Sequence, residues 1–112
     1  MKLPVVVSDA ATEQLLAAAR WWSENRSSDQ AARWHSKFAA AIETIGDRPL
    51  RYPLAWEDQF SSEDVRELLF GLGRRPTHRA LFVVRPESVY VFSVRHVSQE
   101  PLDPESLDLT DE

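Results

Sequence analysis

Cysteine is absent from this 112-residue chain, which excludes disulfides and thiolate metal sites. Glycine is scarce, and Gly71 and Gly73 form only a fragment of a dinucleotide-binding fingerprint because Pro76 stands where its third glycine belongs. The three histidines lack the H-E-x-x-H spacing of a zinc site, and no Gly-x-Ser-x-Gly elbow of a serine hydrolase is present. The sequence therefore implies neither a metal nor an organic cofactor.

Long apolar runs are also missing from the chain. The longest, such as residues 5–7 and 81–84, are far shorter than the roughly 20 residues that cross a bilayer. The N-terminal residues lack the apolar stretch and small-residue cleavage site of a secretion signal. We therefore expect a cytoplasmic protein with no membrane association.

Charge is unevenly distributed along the chain. The net charge is −5, yet residues 100–112 alone hold six acids and no base. Residues 65–99 hold six arginines against two glutamates. The pattern predicts a single domain over residues 1–99 with a locally basic surface, followed by an acidic tail at 100–112 that is mobile or lies on the surface.

The first third of the chain predicts a short strand and a helix. Residues 5–7 form a β-branched run that stops at Ser8, a residue type that caps helices. Trp21 and Trp22 lie about 100° apart around the helix axis, so one of the two indoles should lie at the edge of the apolar face. That face is built from residues at helical spacing, namely Ala11, Leu15, Ala18 and Trp22.

A second helix is predicted to begin after Ser27, which forms a capping-box pattern with Gln30. It should end at Gly46 in a left-handed conformation and pack against the first helix as an antiparallel hairpin. Prolines exclude regular structure from residues 47–64. Apolar side chains of this connection are expected to contact the core: Leu50, Tyr52, Leu54 and Trp56.

The last third predicts three antiparallel strands. Runs rich in β-branched and aromatic residues occupy positions 65–70, 77–85 and 88–97, and short links join them. The element order is therefore β-α-α-β-β-β. This order predicts an α+β fold in which a helical hairpin packs on one face of a small, mainly antiparallel sheet.

Three motifs follow one another in this β region: V-R-E-L at residues 65–68, R-P-T-H-R-A-L-F at 75–82 and V-R-H at 94–96. In their order and spacing, over about residues 3–97, the chain resembles the RelE/ParE superfamily of type II toxins. The resemblance implies a small bacterial toxin that a cognate antitoxin holds inactive. Two targets stay open. RelE-like members cleave mRNA on the ribosome, whereas ParE-like members poison DNA gyrase and have no cleavage chemistry of their own.

Arg79 and His96 are the candidate catalytic residues if the protein is a nuclease. Cleavage by an RNA 2′-hydroxyl needs a proton acceptor and cations but no metal, and histidine and arginine supply both. Counting back from a two-residue turn places Arg79 opposite Val94 and Thr77 opposite His96. Arg79 and His96 would then share a sheet face about 7 to 8 Å apart, whereas a one-residue slip would send them to opposite faces. The resemblance implies the same two roles.

Other residues are candidates for binding. Tryptophans are favoured both in cores and at interfaces, so Trp21 and Trp22 are candidate partner contacts. Arginines also occur simply as solvated turns and sheet ends. The candidate target-binding or phosphate-binding residues are Arg66, Arg74, Arg75 and Arg95.

The ParE-like interpretation is favoured by two departures from the nucleases that the chain resembles. Those members use a tyrosine at the extreme end and lysines before the sheet, but here the chain continues past His96 without a tyrosine and holds only two lysines. Residues 1–99 are also nearly neutral, whereas a ribosome-directed nuclease needs several net cations. An mRNA endonuclease stays the alternative. A third alternative, a decayed toxin kept as a binding module, fits the acidic tail.

Overall fold

The computed structural model describes residues 2–107, without the side chain of Ser106. The helices are α1, Asp9–Asn25, and α2, Ser28–Glu43. The strands are β1, Val5–Val7; β2, Arg66–Phe70; β3, His78–Val84; and β4, Val89–His96. The predicted element order and the α+β fold class are confirmed.

Both helices begin at the serines that the sequence predicts. The Ser8 hydroxyl accepts the backbone N–H of Ala11 at 3.0 Å, and the Ser27 hydroxyl accepts that of Gln30 at 3.0 Å. Each bond satisfies a backbone donor that the first helical turn would otherwise leave unpaired. The chain therefore enters each helix at a point set by its local sequence.

The sheet has the strand order β1-β4-β3-β2. β1 runs parallel to β4, and the other neighbours are antiparallel. The helical hairpin covers one face, which we call the inner face, where Trp34 and Phe38 are fully buried against Phe82 and other strand residues. None of the helices within residues 2–107 is long and apolar enough to span a membrane.

The opposite, outer face carries a second apolar cluster that includes Leu81, Val83 and Phe92. It is covered by two irregular segments, the 3-10 turn Trp56–Phe60 and residues 100–107, whose Leu107 is buried. The part of the predicted tail that the structure describes thus lies on the sheet. Residues 108–112 fall outside the described residues.

Gly46 does not adopt the left-handed conformation predicted for it, because no glycine within residues 2–107 has a positive φ. Gly46 lies in the 3-10 turn Thr44–Asp47, where its carbonyl accepts the backbone N–H of Leu3 at 3.0 Å. A Cβ at this position would overlap the Leu3 carbonyl. Glycine is needed here for close approach of two backbones rather than for its φ.

The connection between α2 and β2 is less buried than expected. Tyr52 packs edge-to-face against Phe82, with 5.6 Å between ring centroids. Leu50, Leu54 and Trp56 are exposed, so the prediction that they contact the core is wrong. An isolated bridge between Leu54 and Arg66 holds this segment beside the edge strand β2, where its apolar side chains reach solvent rather than the core.

The predicted register of β3 and β4 is also wrong. From the turn as far as Phe82, which pairs with Val91, the strand pairs are the predicted ones. A bulge then shifts the pairing, so that Leu81 pairs with Ser93 and Arg79 pairs with Arg95 instead of Val94. An extra residue on one strand reverses the faces of every residue beyond it relative to the partner strand.

Candidate functional site

A groove of about 540 Å³ opens on the inner side of the molecule, between α1 and the C-terminal end of β4. Its walls include Trp21 and Trp22 of α1 and His78 and His96 of the sheet, and Arg95 also lines it. None of its lining residues in the described part of the chain is acidic, although the protein carries a net charge of −5. The groove is thus an aromatic surface without negative charge.

The two tryptophans of α1 have different environments. Trp21 is half exposed, and it meets Trp22 edge-to-face with 5.5 Å between ring centroids. The Arg26 guanidinium lies over the Trp21 ring, 5.9 Å from its centroid. Trp22 leans inward towards the buried Trp34. One indole therefore anchors the wall of the groove to the core, while the other is presented at the edge of the apolar face, as the sequence predicts.

His78 forms part of the buried floor of the groove. Its ring lies 4.8 Å from the Trp34 ring and 5.0 Å from the His96 ring, measured between centroids. Burial, together with the nearby positive form of His96, lowers the pKa of His78 to about 4. His78 is therefore neutral near pH 7, and it acts as a structural residue of the core.

His96 is exposed at the rim of the groove, and a local turn sets its tautomer. Its Nδ1 accepts the backbone N–H of Ser98 at 3.0 Å, and the Ser98 hydroxyl lies 2.7 Å from the same nitrogen. A backbone N–H only donates, so Nδ1 carries no proton in the neutral ring. The neutral imidazole is therefore a hydrogen-bond donor at Nε2.

Arg79 lies on the outer face, away from His96. Its guanidinium makes a bidentate pair with the fully buried carboxylate of Glu57, at 2.9 and 2.5 Å, and reaches Glu67 at 3.3 Å. The hydrogen bonds that Arg79 donates to Glu57 raise the pKa of Arg79 against the opposing effect of burial. The predicted shared phosphate site of Arg79 and His96 is wrong, because the bulge places the two side chains on opposite faces of the sheet.

Glu57 is a residue that the sequence analysis missed. Burial by itself would raise the pKa of this carboxyl, but hydrogen bonds from Arg79 and from the backbone N–H of Leu102 outweigh it, and the pKa is lowered. Its only local signal is that it directly follows the apolar residues L-A-W. Its partner lies 22 residues away in the chain, so no local pattern identifies the pair.

The remaining candidate arginines do not form one open basic surface. Arg66 donates to the Tyr52 carbonyl at 2.6 Å and so ties the connection to β2. Arg74 and Arg75 are exposed in the link between β2 and β3. Arg95 donates to the Glu100 carbonyl at 2.7 Å, and burial, followed by the charge of Arg79, lowers its pKa. Of the four arginines only Arg95 borders the groove, and its side chain shares the outer face with that of Arg79, directly opposite. The structure therefore brings none of these guanidinium groups together with His96, Trp21 and Trp22.

Metal ligation has no basis within residues 2–107, where no three His, Cys, Asp or Glu side chains gather in a suitable group. The polar groups available at the groove include an imidazole donor and the amides of Gln14 and Gln99. Such a set suits recognition of a protein segment. The lining of the groove has few polar groups relative to its aromatic rings.

Comparison with known families decides the wider identity. The model of the family described as ParE toxin of type II toxin-antitoxin system, parDE, matches residues 5–101. The chain belongs to the ParE toxin family. The resemblance seen in the sequence motifs is therefore confirmed, and the ParE branch is the one that matches.

A solved structure from the chromosomal ParDE TA system of P. aeruginosa is similar to this ParE-family chain, with a TM-score of 0.67. The two are 12% identical in sequence, and the likeness covers 85% of this chain and 96% of the other. At this identity the likeness shows a shared fold. The comparison with curated proteins finds no match to this chain.

Proposed function

We propose that this ParE-family protein is the toxin of a type II toxin-antitoxin pair, that it stops growth by interfering with DNA gyrase in the cytoplasm, and that a cognate antitoxin neutralises it. Membership of the ParE toxin family over residues 5–101 carries the proposal. Interference of this kind acts through protein contacts and needs no bond-breaking residues of the toxin's own.

The state of Arg79 supports this function over mRNA cleavage. A phosphate clamp needs a guanidinium whose fork is open to two oxygens. In this protein the fork is occupied by the Glu57 carboxylate, and His96 lies on the other side of the sheet. The pair of residues that a nuclease would use is therefore not assembled in one place.

The groove supports binding of an antitoxin segment of defined chemistry. Aromatic walls at Trp21 and Trp22 favour apolar side chains, since such indoles are common anchors of protein interfaces. The absence of acids from the described lining, with Arg26 stacked on Trp21, favours a segment that also carries carboxylates. We therefore assign the groove to an apolar segment of the antitoxin that carries acidic residues.

The test of the function is induction of the toxin alone in bacteria, followed by assays of purified protein with gyrase and supercoiled DNA. We expect growth arrest with double-strand DNA breaks, and cleavage complexes that accumulate only when gyrase is present. Co-expression of the antitoxin should restore growth. Arrest with shortened messages and intact DNA would instead identify an endonuclease, and unaffected growth would identify a decayed toxin.

Replacement of Trp21 by alanine should weaken antitoxin binding at least tenfold and leave the melting temperature nearly unchanged. Trp21 is half exposed at the groove, so its ring area is available to a partner and contributes little to the core. Isothermal titration calorimetry gives the affinity. The matched control is Trp56→Ala, which removes an equally exposed indole that does not line the groove. Equal losses in both variants would contradict the assignment of the groove.

A further inference from the structure

Residues 100–107, which we call the strap, are attached to the outer face by hydrogen bonds and by apolar contacts. The backbone N–H of Leu102 donates to Glu57 Oε2 at 3.0 Å. The Glu100 carbonyl accepts Arg95 Nη2 at 2.7 Å. Leu107 is buried in the outer apolar cluster, against which Leu102 also packs. The strap contains two prolines and no strand, so single hydrogen bonds and side-chain contacts, rather than pairing with the sheet, hold it in place.

The four residues before the strap form one wall of the groove. His96 and Gln99 both line the groove, and they bond each other twice, from the His96 N–H to Gln99 Oε1 at 2.8 Å and from the Gln99 N–H to the His96 carbonyl at 3.0 Å. Ser98 donates to His96 Nδ1, and the Val97 N–H donates to the Thr77 carbonyl. The orientation of the His96 ring thus depends on the conformation of residues 97–99.

The strap and this wall are directly joined. Only two residues separate Gln99 from Leu102, a reach of about 10 Å at full extension. The anchor at Glu57 on one face therefore limits where Gln99 can lie on the other. Arg95 adds a second link, because it borders the groove next to His96 on β4 while its guanidinium, on the outer face, donates to the first residue of the strap.

We propose that the strap holds the His96–Gln99 wall of the groove in its binding conformation, and that Glu57 is the positioning residue that latches the strap. A wall that is already ordered costs less entropy when a partner binds. Coupling of this kind is reciprocal, so a partner in the groove also tightens the strap. The inference rests on the proposed function only in taking the antitoxin as the occupant of the groove.

Leu107→Ala tests the proposal, since it loosens the strap at the end farthest along the chain from the groove. We expect faster hydrogen exchange at residues 96–99, movement of the His96 ¹⁵N shifts towards a mixture of tautomers, and antitoxin affinity three- to tenfold weaker through faster dissociation. Leu107→Met should restore all three values, because it refills the same apolar site. Leu50→Ala, at an exposed leucine elsewhere, is the control and should change none of them.

A strap with only a structural role gives a different result. Leu107→Ala would then lower the melting temperature and speed exchange within residues 100–107, while the His96 shifts and antitoxin affinity stayed as in the wild type. That outcome overturns the proposal. A further outcome separates the two proposals. If the wild-type protein does not bind the antitoxin but Leu107→Ala still moves the His96 shifts, the assigned partner is rejected and the role of the strap is supported.

Discussion

Replacement of Glu57 by glutamine should lower the free energy of unfolding by about 3 to 5 kcal/mol, the cost of leaving a buried charge without its partner. The carboxylate is fully buried, and it receives two hydrogen bonds from Arg79 and one from Leu102. When Glu57 loses its charge, Arg79 keeps its ion pair with Glu67. Arg79 also lies opposite a second guanidinium, that of Arg95. Equilibrium unfolding in urea, followed by circular dichroism, measures the loss.

The control for this substitution is Glu63→Gln. Glu63 pairs with Arg85 at 3.2 Å, but its side chain is 38% exposed, and solvent-screened pairs contribute about 0 to 1 kcal/mol. A double variant, Glu57→Gln with Arg79→Met, should recover part of the loss, since both members of the pair are then uncharged. If Glu57→Gln costs no more than Glu63→Gln, the buried pair does not stabilise the fold.

The same carboxylate contributes to the pH dependence of stability at the acid end. The pKa of Glu57 is lowered in the fold, so its contribution is fully present above its ordinary value of 4.5. That contribution is lost as the pH falls through the lower, folded value. Acid unfolding of Glu57→Gln should therefore show a weaker dependence on pH below 4.5 than that of the wild type.

His78 by itself should lower the free energy of unfolding by about 3 kcal/mol between pH 6.5 and pH 4, because in the fold it excludes a proton that the unfolded chain binds. Burial and the charge of His96 lower the pKa of His78 from 6.5 to about 4 in the fold. Between these two values the unfolded state holds more protons, so the free energy of unfolding rises with pH. Urea unfolding at half-unit steps of pH measures this slope.

The pH dependence of the free energy of unfolding, rather than its value at one pH, identifies the residue that causes this loss of stability. His78→Gln removes the group and should flatten the dependence between pH 4 and 6.5, even though the loss of ring contacts with Trp34 and Phe38 lowers stability at every pH. The control is His35→Gln, which removes a different histidine and leaves His78 in place. An unchanged slope in His78→Gln would contradict the role of this residue.

Local features of the fold could be read directly from the chain. Ser8 and Ser27 cap the helices as predicted, since a cap depends on residues only three positions apart. The apolar spacing in α2 places Trp34 and Phe38 in the core, and the order of the elements leads to the α+β class and to the family. These predictions succeed because the interactions behind them are local or repeat with a fixed period.

Other features depend on contacts between distant parts of the chain. A single bulge near Leu81 changes which residues of β4 share a face with Arg79. The alternation of apolar and polar residues in the sequence does not reveal this bulge. Gly46 is required by the backbone of Leu3, which approaches from 43 residues earlier in the sequence. Such requirements appear only when the elements are packed together.

The amino-acid order alone therefore predicted the class of the fold, the starts of the helices and the family. Packing of the chain in three dimensions settled the rest. In the folded protein Arg79 pairs with a buried carboxylate rather than being free to bind a phosphate. His96 lies beside His78, and the C-terminal leucines pack on the outer face. The reason is that a strand alternates its faces with a period of two, so one inserted residue reassigns every side chain beyond it.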